Sequence, residues 1–200
     1  MAKPIEIVCV LDRSGSMASL VTEVINSFNV FLKEQKAEPG KARLTLVIFD
    51  DHYDIIHDRV KLSDVPGITP DVYFARGMTA LNDAIGKTIA AVKKGAEKVI
   101  FLIQTDGHEN ASSEYSASDI KKLVEKKQKK GWEFLFVGAG IDAFDVGGAI
   151  GIPVHNIAMV AHTASGVRDT YSTMTASTLS YRRGSSSKDD KKVSNTVAAN

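Results

Sequence analysis

The chain has one cysteine, Cys9, among 200 residues. It cannot pair within the chain, so a disulfide scaffold is excluded, and a single thiolate cannot build a cysteine metal site. An excess of either charge is also missing: 25 Lys and Arg against 24 Asp and Glu leave a formal net charge of +1. That balance argues against a broad basic face for nucleic acid or for an anionic membrane. No apolar run reaches the ~20 residues that span a bilayer. The N-terminal stretch carries one early lysine, Lys3, and its apolar run is interrupted by Glu6 with no small-residue cleavage site behind it. No signal peptide is therefore expected, and the expected setting is cytoplasmic. What remains is an ordinary composition, 44% hydrophobic and 24% charged. It belongs to a globular chain long enough to bury its own core.

Short β-branched runs alternate with helical patterns. Residues 5–11 (IEIVCVL), 43–49 (RLTLVIF), 98–104 (KVIFLIQ) and 133–137 (EFLFV) read as strands, too short for typical helices and apolar enough for burial on both faces. Residues 53–57 (YDIIH) are more polar and follow a brief Asp-Asp-His turn, which predicts an antiparallel edge hairpin. Between 19 and 36, Leu20, Val21, Val24, Ile25, Phe28, Phe31 and Leu32 form one stripe at the helical period, ended by Pro39-Gly40. Further helices are expected over 79–93, stopped by Gly95, and over 118–130, opened by Ser118 or Asp119 and closed by Gly131. A short fourth is expected over 142–150. This alternation predicts an α/β fold: a doubly wound, mostly parallel sheet with helices on both faces and one antiparallel edge strand. Residues 1–160 read as the domain, 161–183 as a Ser/Thr-rich helical extension, and 184–200 as a polar tail too poor in apolar residues to order itself.

Ligands of open α/β sheets collect beyond the carboxyl ends of the strands. Two such ends read Asp12-Arg13-Ser14-Gly15-Ser16 and Thr105-Asp106-Gly107, and the loop before the second helix reads Gly77-Met78-Thr79. Asp12, Ser14, Ser16, Thr79 and Asp106 together offer two carboxylates and three hydroxyls, without cysteine or histidine. Hard divalent cations prefer such oxygen ligands, and Mg2+ favours an octahedral shell at roughly 2.0–2.1 Å. Two carboxylates balance a doubly charged ion while hydroxyls donate weakly, so the ion stays electrophilic toward an incoming carboxylate.

The pattern D-x-S-x-S, then Gly77-Met78-Thr79-Ala80-Leu81, then T-D-G resembles the metal-ion-dependent adhesion site of von Willebrand factor type A domains, over roughly residues 4–160. The resemblance implies that Asp12, Ser14, Ser16, Thr79 and Asp106 bind Mg2+ (or Mn2+), the aspartates directly or through water. It implies that an Asp or Glu of a protein partner completes the shell. It also implies a doubly wound fold with one antiparallel edge strand. Compact intracellular relatives serve ATPases or stress-response systems such as tellurium resistance, which adds an accessory-subunit role as an expectation.

Competing readings attach to the same residues. Asp12, Ser14 and Ser16 also suit a helix N-cap cluster. A metal-dependent hydrolase or phosphatase is the rival function. Asp-nucleophile phosphotransferases place a second Asp where Ser14 stands, and no Walker loop occurs. Gly138-Ala139-Gly140-Ile141-Asp142-Ala143 resembles a dinucleotide fingerprint, but its late position favours a plain strand-to-helix turn. The lysines of 121–130 read as a solvated helix face, with an acidic partner as the other option. His108 reads as an exposed loop residue, and His52, His57, His155 and His162 show no metal-ligand spacing. Asp50 and Asp51 either lie near the site or form the hairpin turn. Asp83 reads as a carboxylate complementing its helix dipole. Cys9 reads as a core residue.

Overall fold

A computed structural model describes residues 4–92 and 98–184. Six strands form one sheet: β1 (Ile5–Asp12), β2 (Ala42–Phe49), β3 (Tyr53–Lys61), β4 (Val99–Thr105), β5 (Glu133–Ala139) and β6 (Ile157–Val160), in the order β3-β2-β1-β4-β5-β6. All neighbours run parallel except β3, which returns antiparallel on β2 as the edge hairpin. Among the described residues, five α-helices cover it: α1 (Val21–Ala37), α2 (Leu81–Ala91), α3 (Ala117–Gln128), α4 (Ala143–Ala149) and α5 (Ala164–Arg183).

Alternation along each strand assigns the two faces. Ile7, Cys9 and Leu11 of β1 point to a core shared with Phe28 and Phe31 of α1 and with Val167, Tyr171 and Met174 of α5. Val8 and Val10 point the other way, onto Leu81, Ile85 and Ile89 of α2, Ile120 and Val124 of α3, and Ala143 of α4. The central strands are buried on both sides, which is why they read as continuous apolar runs. Cys9 is a buried free thiol, and burial pushes its pKa up, so it behaves as a core residue.

Several boundaries differ from expectation. The helix expected from residue 19 begins as a 3-10 turn, Gly15–Leu20, and becomes α-helical only at Val21. The α3 N-cap is Ser116, not Ser118 or Asp119. Ser116 accepts from the Asp119 N–H while Asp119 reaches back to the Ser116 N–H, a capping box. Strand β6 was not among the expected strands; it is a four-residue, half-buried edge. The Gly95 stop expected after α2 lies outside the described residues, as does the tail from residue 185. Lys121, Lys122 and Lys126 are exposed on α3, Lys129 and Lys130 are exposed in the turn that follows it, and Lys127 lies over the Trp132 ring at 4.1 Å. The lysine run is a solvated face. Among the described residues, no helix is long and apolar enough to cross a membrane.

Candidate metal centre

The sheet order reverses direction between β1 and β4, which makes the carboxyl ends of these strands the switch point where open α/β sheets bind ligands. Asp12 is the last residue of β1, and Asp106 follows the last residue of β4. The chain therefore delivers both carboxylates to the same end of the sheet.

Hydrogen bonds link the loops around them. Asp12 accepts the Ser14 N–H on Oδ1 at 2.7 Å and the Thr105 hydroxyl on Oδ2 at 2.5 Å. The Ser14 and Ser16 hydroxyls are 3.1 Å apart, and Ser16 donates to Asp106 Oδ1 at 2.8 Å. Thr79 closes the circle: its Oγ1 lies 2.7 Å from where a side-chain carbon on Gly107 would stand. Thr79 itself is fixed by Asn110, whose Oδ1 accepts the Thr79 N–H at 2.9 Å. All five expected residues thus converge on one end of the sheet. Asp12, Ser14, Thr79 and Asp106 are buried, while Ser16 is exposed and forms the mouth.

The donor set suits a small divalent cation. Burial pushes the Asp12 carboxyl up to about 6, against hydrogen bonds from Thr105 and Ser14 that pull it down; the nearby Asp106 adds to the rise. This is a pocket short of positive charge. The adjacent guanidinium does not relieve it, because Arg13 turns away to Asp50 (2.9 Å) and Asp54.

That diversion answers the question left open at Asp50. Its Oδ2 takes Arg13 and the Arg76 Nε at 2.6 Å, and its Oδ1 takes the His52 N–H at 2.5 Å. Burial alone would raise the Asp50 carboxyl, but these donors outweigh it and the net direction is down. Ligand atoms of Asp50, Asp51 and His52 do lie within 4.8 Å of one another. A cation there would meet two guanidinium groups, so the cluster is a clamp rather than a second metal site. The clamp joins the two loops that carry the candidate residues: Arg76 N–H donates to the Arg13 carbonyl at 2.9 Å, and Gly15 N–H to the Gly77 carbonyl at 3.1 Å. Gly77 has φ +67°, and a side-chain carbon there would stand 1.9 Å from Asp51 Oδ1. Only glycine fits.

Two other residues make contacts that were not anticipated. His162 Nε2 lies 2.6 Å from Asp106 Oδ2. Asp83 accepts the N–H groups of Ser113, Glu114 and Tyr115, so it braces the loop after β4 as well as facing its own helix dipole. His108 is exposed, as expected. The Gly138–Ala143 segment is a strand-to-helix turn, with Asp142 as N-cap of α4.

A polar cluster of this kind, at the switch point of a doubly wound sheet, is the arrangement of α/β ligand-binding domains. The chain belongs to the von Willebrand factor type A domain family, whose profile matches residues 6–164. Domains of this family are mainly adhesion or protein-interaction modules, and the adhesion site characteristic of the family binds a divalent metal ion. Similar solved structures include proximal thread matrix protein 1 of the mussel byssus with a zinc-occupied adhesion-site motif (15% identity, TM-score 0.66, 89% of this chain, 46% of that one). The pilus adhesin SpaC of Lactobacillus rhamnosus GG is another (15% identity, TM-score 0.67, 89% of this chain, 30% of that one). A third is the type V pilus tip protein Mfa5 domain of Porphyromonas gingivalis (11% identity, TM-score 0.63, 88% of this chain, 96% of that one). The chain spans about half the length of the mussel protein. A sequence search among curated proteins returns no significant match.

Proposed function

We propose that the chain is a divalent-metal-dependent capture module, with Mg2+ (or Mn2+) held by Asp12, Ser14, Ser16, Thr79 and Asp106 and with an Asp or Glu side chain of a protein partner as its ligand. The supporting observation is the unbroken run of contacts from Asp12 through Ser14 and Ser16 to Asp106, open to solvent at Ser16. The bound ion supplies an electrophilic position for that carboxylate. Asp12 and Asp106 supply the opposing charge, the hydroxyls orient without neutralising, and the Asp50 clamp keeps the Arg13 guanidinium out of the cluster. With Ser14 where an Asp-nucleophile phosphotransferase has its second acid, the site suits holding a ligand better than turning one over. A cytoplasmic setting fits the lone, buried thiol of Cys9. Recognition through one ion, rather than through a charged face, fits the net charge of +1 and leaves nucleic acid and membrane out as partners.

Calorimetric titration of Mg2+ and Mn2+ tests the site. The wild type should bind one ion, and Asp12→Ala should lose it; equal binding by the two proteins overturns the assignment. Capture of a partner from lysate should be lost in EDTA and restored by Mg2+. A partner retained equally in EDTA refutes metal-bridged recognition.

A further inference from the structure

His162 lies in the segment between β6 and α5, far in sequence from the oxygen-rich loops, yet its ring reaches one of the two carboxylates of the site. Its Nε2 is 2.6 Å from Asp106 Oδ2; the Asp106 side chain is fully buried and that of His162 is 34% exposed. A carboxylate offers only acceptors, so the ring N–H donates. The other Asp106 oxygen, Oδ1, takes the Ser16 hydroxyl at 2.8 Å. The two oxygens are thus divided: Oδ1 faces the hydroxyl cluster and Oδ2 faces the histidine.

The backbone is built to bring the ring there. Gly140 N–H donates to the Val160 carbonyl at 3.0 Å, seating the end of β6 on the end of β5. Gly140 has φ +70°, and a side-chain carbon on it would stand 2.8 Å from His162 Cβ. The glycine that gave the segment its resemblance to a dinucleotide fingerprint makes room for His162. On the other side, Thr163 caps α5 by accepting the Gly166 N–H at 3.1 Å, which fixes the chain immediately after the histidine.

The geometry points to His162 as a positioning residue of the metal centre: its ring N–H holds Asp106 Oδ2 and thereby presents Oδ1 to the ion. This rests on the metal reading of the preceding subsection. Partners that hydrogen-bond a metal-binding carboxylate orient it and restrict its rotation, and their removal typically lowers metal affinity ~10–100-fold. His162 does the same from outside the D-x-S-x-S, threonine and T-D-G elements.

The test is Mn2+ titration of the full chain by calorimetry, with Mn2+ electron paramagnetic resonance on the same samples. His162→Ala should weaken Mn2+ binding ~10–100-fold while its melting temperature stays close to wild type. His162→Gln, whose amide N–H can donate to the same oxygen, should recover affinity to within about threefold. The wild-type Mn2+ spectrum should show no directly bonded nitrogen. Unchanged affinity in His162→Ala overturns the inference while leaving the metal site standing. So does a directly bonded nitrogen, which would make His162 a ligand, and so does a Gln variant as weak as the Ala variant. A wild type that binds no Mn2+ instead removes the metal reading itself.

Discussion

Asp12 and Asp50 stand at the ends of neighbouring parallel strands and are equally inaccessible to solvent, but their surroundings are opposite. Asp12 has hydroxyl and amide donors and no cation; Asp50 has two guanidinium groups. Removing Asp50 leaves Arg13 buried with its charge half-compensated by the more exposed Asp54. Asp50→Ala should cost about 3 kcal/mol in urea unfolding, near the lower end for breaking a buried pair. It should also weaken Mg2+ binding, because the Arg13 and Gly77 loops lose their clamp. The pH dependence has a fixed sign. The Asp50 pKa is lowered in the folded state, so its contribution is complete above the unfolded carboxylate value near 4 and fades as pH falls through the folded value. Acid unfolding followed by circular dichroism should therefore have a shallower limb in Asp50→Asn. Tyr171 supplies a residue-scale test of the core. Its hydroxyl is buried with no hydrogen-bond partner among the described residues, and burial raises its pKa well above normal. Tyr171→Phe keeps the ring on Phe28 and Phe31 and should leave stability unchanged or raise it by about 1 kcal/mol.

At the scale of elements, what the sequence reveals depends on whether the signal is local. Central strands and α1 were legible because burial imposes a pattern on consecutive residues. The convergence of the candidate residues was legible because strand ends and small polar residues coincide at Asp12 and Asp106. Strand β6 was not, since four half-buried edge residues carry no pattern distinct from a loop. His162 was hidden because its partner is 56 positions away and the contact depends on β6 pairing with β5. At α3, the choice of Ser118 or Asp119 missed Ser116-x-x-Asp119, a reciprocal motif that was readable in advance. A pair of variants measures the correction: Ser116→Ala should cost about 1 kcal/mol in thermal or urea unfolding. Ser118→Ala, at an exposed position inside the helix, should change it by less than about 0.5 kcal/mol. The reverse ranking would restore the original cap.

For the whole molecule, the decisive question is whether the domain ends with its sheet or needs α5. The two faces of the sheet are covered unequally in chain order: α2, α3 and α4 cover one, while α1 and the distant α5 share the other. Val167, Tyr171 and Met174 sit in the same core as Phe28 and Phe31, and the Tyr171 ring meets Phe28 edge-on at 6.2 Å. Arg182 donates to the carbonyls of Gln35 and Glu38, which anchors the far end of α5 on the C-terminus of α1. Without α5, the large rings of α1 and the sheet face beneath them lose their cover, a patch well beyond what a monomer leaves exposed. We therefore treat α5 as part of the folding unit rather than an appendage. A chain ended after Thr163 should bind a hydrophobic dye, lose its cooperative melt and self-associate in light scattering. Because Thr163 and His162 would then be untethered from α5, any folded fraction should bind Mn2+ more weakly than the full chain. A truncated protein that melts cooperatively with full metal affinity would return α5 to the status of an extension.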